Sequence, residues 1–188
     1  MRTSSLTACV YTGLSRDAFS PQCNILKDQL PDQIHFPGSV VYDAQQKDYY
    51  SGEQSALTPS CRVSPKTSTD LSRIVQIAST QKCAFSVKCG GHMAGLGASN
   101  IGSSGFTIDL GTLNHVQMSE GRDIVSVASG SRWTDVYNAL SPYNLTVVGG
   151  RSAGVGVGGF LSHVSLLLYT KKNDEAYFLS GWNFISLS

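Results

Sequence analysis

The stretch Phe85-Ser-Val-Lys-Cys-Gly-Gly-His-Met-Ala-Gly-Leu-Gly, followed by the apolar run Phe106–Leu110, constrains this chain more than any other part of it. It reads as strand, glycine loop, strand. Phe85 and Val87, with Ala84 ahead of them, form a short β-prone run that Gly90-Gly91 then breaks. Two successive glycines reach positive φ at little steric cost, and their backbone N–H groups can form a concave nest for phosphate oxygens. His92 follows directly. A neutral imidazole offers a ring nitrogen as base, metal ligand or nucleophile. By itself the loop also describes a tight turn carrying a partly exposed histidine.

The neighbouring segments place this loop in an α+β fold. Cys61-Arg-Val-Ser, ending at Pro65, is a candidate strand, and Thr67 with Asp70 is a capping pair for a helix. Leu71, Ile74, Val75 and Ala78 fall at i, i+3, i+4 and i+7, which predicts one buried helical face. Ala84–Val87 is the next strand. Cys61 to Lys88 is therefore a βαβ unit that delivers the chain into the glycine loop, and a ligand is expected at the carboxyl end of such a strand. Phe106–Leu110, Ile124–Ala128 and Leu145–Val148 read as three further strands bounded by turn residues. Between the last two, Ser131 can cap a helix with Trp133, Val136, Tyr137 and Leu140 on one core-facing side. Upstream, Ile25, Leu26 and Leu30 fit two helical turns over Asn24–Leu30, stopped by Pro31. Phe36 to Tyr42 and Tyr49-Tyr-Ser carry no local pattern beyond loop.

Composition narrows the function classes. Charged residues are 14% of the chain and the formal net charge is +1, so no basic field exists to attract nucleic acid. No apolar run reaches the ~18 residues needed to cross a bilayer, and no membrane span is expected. The 188 residues can bury one core or two small subdomains sharing an interface. Residues 1 to 22 read as a tail or a degenerate leader, because the apolar region after Arg2 is interrupted by Thr and Gly; secretion and a cytoplasmic location both stay open. Five cysteines occur, an odd number, so at least one is unpaired in a monomer. His35, His115 and His163 show no ligand spacing, and no metal site is expected.

A second glycine loop admits two readings. Gly154-Val-Gly-Val-Gly-Gly fits G-x-G-x-x-G at Gly154, Gly156 and Gly159, follows the predicted strand Leu145–Val148, and has Asp174 downstream, as an NAD-binding Rossmann fingerprint would. Against this, Gly149-Gly-Arg-Ser-Ala separates the strand from the glycines where a tight turn belongs. Only 29 residues follow Gly159, too few for the further parallel strands.

Taken in order, Val-Lys-Cys-Gly-Gly-His-Met, Ala98-Ser-Asn-Ile, Gly105-Phe-Thr-Ile-Asp-Leu, Leu113-Asn, Gly130-Ser-Arg-Trp-Thr-Asp-Val-Tyr, Val147-Val-Gly-Gly-Arg and Gly154 to Gly159 resemble a known domain. It is the FAD-binding domain, PCMH type, of the berberine bridge enzyme-like oxidases, members of the vanillyl-alcohol oxidase/p-cresol methylhydroxylase superfamily, with the fungal secreted or secondary-metabolite members most alike. The resemblance covers roughly Cys23 to Gly159 and implies two α/β subdomains. It divides the chain into a tail (1–22), an N-terminal helical and loop segment (23–56), an incomplete FAD-binding domain (57–161) and a divergent tail (162–188).

What the resemblance implies for the site is specific. FAD is the expected cofactor, held by Lys88, Cys89, Gly90, Gly91, His92, Met93, Gly97, Ser99 and Asn100 and by Gly149, Gly150, Gly154, Gly156, Val157, Gly158 and Gly159. His92 matches the histidine often joined covalently to the flavin's dimethylbenzene methyl group, which makes it an anchor and not the catalytic base. Ser152 stands where bicovalent members carry a cysteine, so a second flavin bond is not expected. Lys88 matches a basic residue beside the phosphates, although a solvated lysine fits as well, and Cys89 replaces the usual Gly or Ser. The family pairs a cysteine before the first helix with one near the first strand, which implies Cys23–Cys61; two buried thiols remain the alternative. The implied activity is oxidation of a small organic substrate by hydride transfer to flavin, with reoxidation by dioxygen. The family's acid/base residues lie beyond the resemblance, so no catalytic residue is named, and a non-catalytic remnant is the other reading. The oligomeric state is not readable.

Overall fold

The computed structural model describes residues 21–163 and 185–186. Cys9, all but the last two residues of the expected N-terminal tail, Asp174 and most of the stretch 162–188 lie outside the described residues; Pro21 and Gln22 open the first helix. The described residues divide into two compact units, one holding residues 21–88 together with Met93–Asp109, the other holding Cys89–His92 and the described residues from Leu110 onward.

The first unit contains α1 (Pro21–Gln29), β1 (Ile34–His35), α2 (Val40–Lys47), α3 (Gly52–Ser55), β2 (Arg62–Val63), α4 (Ser68–Thr80), β3 (Phe85–Lys88) and β4 (Phe106–Asp109). Its sheet has the order β1-β2-β4-β3, antiparallel at β1 and parallel elsewhere, so β4 lies between the two strands of the predicted βαβ unit. The register pairs Arg62 and Ser86 with Thr107, and Lys88 with Asp109. Strand residues alternate between faces, so these five polar side chains share one face of the sheet. Val63 and Ile108 fall on the other face and are fully buried, as are Phe106, Leu26 of α1 and Ile74 of α4.

Helix α4 starts as the sequence predicts. Thr67 Oγ1 accepts from Asp70 N at 3.1 Å and Asp70 Oδ2 accepts from Thr67 N at 3.0 Å, a reciprocal capping box. Its buried face is narrower than predicted: Ile74 and Ala78 are buried, but Val75 is 42% exposed, because i+4 from Leu71 already turns toward solvent on a helix that meets the sheet along one stripe. Helices α2 and α3 form within the segment 23–56 expected to mix helix and loop, at positions that carry no local helical pattern. Ser39 caps α2 by accepting from Tyr42 N, and the apolar periodicity there is weak because α2 buries only Tyr42.

Cys23 and Cys61 form a disulfide that ties α1 to the start of β2 across 38 residues. Cross-linking a loop of that length restricts the unfolded chain. Cys23→Ser is expected to lower stability by about 2–4 kcal/mol in urea unfolding, and reductant should have the same effect on the parent chain but none on the variant.

The second unit contains β5 (Val116–Met118), β6 (Ile124–Val127), α5 (Trp133–Leu140), α6 (Val157–His163) and β7 (Ile185–Ser186), with an antiparallel sheet β5-β6-β7. Val125, Trp133, Val136, Leu140, Val147 and Val157 form its core. Two expectations are corrected here. Ser131 does not cap α5: it is fully buried, its hydroxyl donates to His115 O at 3.4 Å, and Arg132 takes the cap position with its N–H donating to Asp135 Oδ2 at 2.7 Å. Leu145–Val148 is not a strand. Asn144 takes a left-handed conformation (φ +56°) after a 3-10 turn, Leu145 N donates back to Leu140 O at 3.4 Å, and no strand lies alongside among the described residues. Val147 enters the core as an anchor while Val148 stays 46% exposed.

Candidate functional site

Lys88, the last residue of β3, hands the chain to Cys89-Gly90-Gly91-His92 in the second unit. There the two glycine loops cross backbone on backbone. A Cβ on Gly90 would collide with Gly156 N and lie 2.7 Å from its Cα; one on Gly156 would collide with Gly90 N and Cys89 Sγ. Neither position tolerates any side chain, and no other residue type allows two main chains to approach so closely. Gly91 adds a positive φ of +68°, which turns the chain into His92. The imidazole lies against Gly154, where an added Cβ would sit 2.7 Å from Nε2. Sequence reading thus identified Gly90, Gly91, His92, Gly154 and Gly156, and the fold brings all five together.

The second loop is held to the start of α5. Trp133 N donates to Val155 O at 3.1 Å, Thr134 N to Ala153 O at 3.0 Å and Val157 N to Ser131 O at 2.8 Å, with Arg132 and Gly156 paired as a bridge. The first N–H groups of a helix have no partner within it, and this loop supplies two of them. Cys89 Sγ donates to Ser129 O at 2.7 Å, and a Cβ on Gly158 would approach that same carbonyl to 2.6 Å. Gly149 and Gly150 have a different use: both press on the buried Trp133 indole, where a Cβ would come within 2.7 Å of ring atoms, and Tyr137 OH donates to Gly150 O at 2.9 Å. Their missing side chains make room for the indole. Val157 is a core residue, and Gly159 has open space around it. Because Leu145–Val148 is not a strand, the strand–turn–helix of a Rossmann fingerprint is absent at Gly154 to Gly159.

Met93, Gly97, Ser99 and Asn100 belong to the first unit. Ala94 to Ala98 form an exposed turn, closed by Ala98 N donating to Gly95 O at 3.2 Å, with Gly97 at φ +76°. Among the described residues, no backbone carbonyl accepts from the N–H groups of Gly95, Leu96 or Gly97. Ser99 is buried and its Oγ has no hydrogen-bond partner. Asn100 is fully engaged by the protein: Nδ2 donates to Gln54 O (2.7 Å) and Leu57 O (2.8 Å), and Oδ1 accepts from Arg62 Nη2 (3.1 Å) and Thr107 Oγ1 (2.9 Å).

Lys88 is not solvated. Its Nζ lies 3.1 Å from Asp109 Oδ2 and 2.9 Å from Asp48 Oδ2, with the side chain 2% exposed. Burial of an ammonium needs such partners, and any anion beyond the protein would compete with two carboxylates for it. Arg62, wholly buried, donates to Gln46, Tyr49 and Asn100 and lies over the Tyr42 and Tyr49 rings. Lys88 also lies over Tyr49, 5.3 Å from its centroid. This polar layer went unread in the sequence, although Arg62 and Asp109 inside otherwise buried strands were its signal, since a charge in a buried strand requires a partner.

Burial pushes the Tyr49 phenol up to about 12, against the pull of the Arg62 guanidinium. The folded value exceeds the unfolded one near 10, so the neutral phenol supports folding fully below pH ~10, and that support fades as pH rises to ~12. Tyr49→Phe should flatten the pH dependence of unfolding over that window, on top of a pH-independent loss of about 1 kcal/mol from its hydrogen bonds with Ser99 O and Arg62, as circular dichroism at a series of pH values would record. His35 moves the other way, lowered by burial with Asp109 opposing.

The glycine crossing, with a histidine at its edge, lets a ligand approach the main chain closely. A family model described as FAD binding domain matches residues 59–166, more than half of the chain, and the chain belongs to that family, the PCMH-type FAD-binding domains. FAD is the cofactor of such a domain. Similar curated proteins include the FAD-dependent monooxygenase macF of Penicillium terrestre, 42% identical over 74% of this chain and 27% of its own length, and the FAD-dependent monooxygenase yanF of Aspergillus niger, 39% identical over 73% and 24%. This chain therefore spans about a quarter of the curated relatives it matches. In fold it is similar to Physcomitrella patens BBE-like 1 (TM-score 0.61, 21% identity, 73% of this chain and 29% of that one). It is similar also to the glucooligosaccharide oxidase of Acremonium strictum, described with a 6-S-cysteinyl, 8α-N1-histidyl FAD (TM-score 0.62, 20% identity, 73% and 29%). The chain's relatives are FAD-dependent oxidoreductases.

Proposed function

We propose that this chain is the flavin-holding part of an FAD-linked oxidoreductase, with the flavin ring against His92 and Gly154 of the second unit. The observation that carries this reading is the crossing of Gly90 on Gly156 with the His92 imidazole at its edge. It supplies what the cofactor needs: close backbone approach, and a ring nitrogen beside a glycine that offers no side chain to displace it. The residues present at the crossing thus fit the cofactor, and the first unit by itself carries N–H groups at Gly95 to Gly97 with no backbone acceptor.

His92 is the residue for a covalent flavin bond, and Ser152, exposed, offers no thiol for a second one. FAD when bound supplies the redox chemistry, accepting hydride from a small organic substrate and passing electrons to dioxygen. The chain's own part is to grip the phosphates, fix the ring and exclude side chains from the contact. The names of the fungal relatives favour a monooxygenase outcome for the whole protein; that step and the substrate depend on parts of those relatives that this chain does not span. The test is acid precipitation of purified protein. Yellow colour is expected to stay in the pellet and to leave it in His92→Ala, and colour retained in that variant would remove His92 from the bond.

A further inference from the structure

Residues 49–57 precede the segment matched by the family model, which begins at residue 59. They nevertheless supply the hydrogen bonds that hold the exposed turn Ala94–Ala98 and its flank from behind. Gln54 Nε2 donates to Gly95 O, Ser51 Oγ to Ala94 O at 3.4 Å, and Tyr49 OH to Ser99 O at 3.0 Å. Asn100 reaches back to Gln54 O and Leu57 O. Gln54 is wholly buried, and all these contacts lie within the first unit.

Three carbonyls, those of residues 94, 95 and 99, are thus turned toward one segment. In a trans peptide the N–H of the next residue points opposite to the carbonyl, and no cis bond occurs here. Fixing the carbonyls of Ala94 and Gly95 therefore aims the N–H groups of Gly95 and Leu96 away from the segment, and these are groups with no backbone acceptor. An anion reaching that side meets preoriented donors.

We propose that segment 49–57 is a clamp that orients the 94–96 peptides for the pyrophosphate of FAD, with Gln54 and Tyr49 as positioning residues. The inference rests on the flavin reading above and adds the residues that prepare its phosphate site. It also gives the N-terminal segment a role at the cofactor, with the Cys23–Cys61 disulfide closing the loop that contains the clamp.

The test uses Gln54→Met, which keeps the side chain's length without the donor, and Tyr49→Phe, which keeps the ring over Arg62 and Lys88. Backbone amide nitrogen relaxation is measured without cofactor, followed by FAD titration and phosphorus NMR of bound FAD. Loss of one such hydrogen bond is expected to lower the order parameters of the Gly95 and Leu96 N–H groups from about 0.85 to below about 0.6, with β4 unchanged, and to raise the FAD dissociation constant about tenfold. The pyrophosphate resonances should move toward those of free FAD. Unchanged order parameters in both variants would overturn the clamp. Lowered order parameters with FAD affinity and phosphorus spectrum unaltered would overturn its positioning role. If the parent chain takes up no FAD, the flavin reading fails, while the relaxation result still decides whether the clamp exists.

Discussion

Asp109→Ala is expected to destabilise the chain by about 3–5 kcal/mol, measured as a shifted denaturant midpoint. Asp109 is a buried carboxylate between two buried cations, 3.1 Å from Lys88 Nζ and 3.9 Å from Arg62 Nη1. Lys88 would keep only Asp48, whose side chain is 47% exposed and whose field is screened by water. The loss is large because it strands charge in a low-dielectric layer, not because the pair itself contributes that much. Two controls separate these causes. Asp48→Asn should cost under about 1 kcal/mol, and combining Lys88→Met with Asp109→Leu should recover part of the loss, since the pair is then removed with no Lys88 charge left behind. The consequence reaches the site through the chain itself, because Lys88 and Asp109 are register partners and Cys89 follows the first of them directly.

Gly156→Ala should have the second large effect, loss of the flavin site. The added methyl would meet Gly90 N, Cys89 Sγ and, at 2.9 Å, Gly90 Cα. Gly156 cannot retreat easily, because it is paired with Arg132 and its neighbours Val155 and Val157 are bonded to Trp133 and Ser131. Backbone meeting backbone leaves no flexible side chain to yield, so a cost at the upper end of the usual 1–3 kcal/mol for overpacking, or about that, is expected. The variant should purify without retained FAD. Gly90→Ala should behave the same way, and the double variant should lose little more than either single one, since both break one contact. Gly102→Ala, with open space around it and an ordinary φ, should leave flavin content unchanged.

Locally encoded features were legible in the sequence. Strands β3 and β4 carry β-prone runs ended by glycine or a turn, and α4 announces itself through Thr67 and Asp70. Gly90-Gly91-His92 marked the place where the chain must turn. The polar layer was not legible, because Arg62, Lys88, Asp109 and Asn100 lie far apart in sequence and become partners only through strand order. Gln54 had no local signal, since its acceptor is 41 residues away. Leu145–Val148 looked like a strand by composition, but Val147 serves as a core anchor and the glycines after it fit the Trp133 ring. Gly149 and Gly150 show the same limit: glycine in a sequence signals close approach without saying to what.

The central claim is that the crossing of the two glycine loops is a flavin site. Equilibrium titration of the purified chain with FAD, alongside NAD, tests it most directly, with the Gly156→Ala variant in parallel. Saturable, equimolar FAD uptake that the variant loses, with NAD ignored, is the predicted result. No FAD uptake by the parent chain, or uptake that Gly156→Ala leaves unchanged, would contradict it.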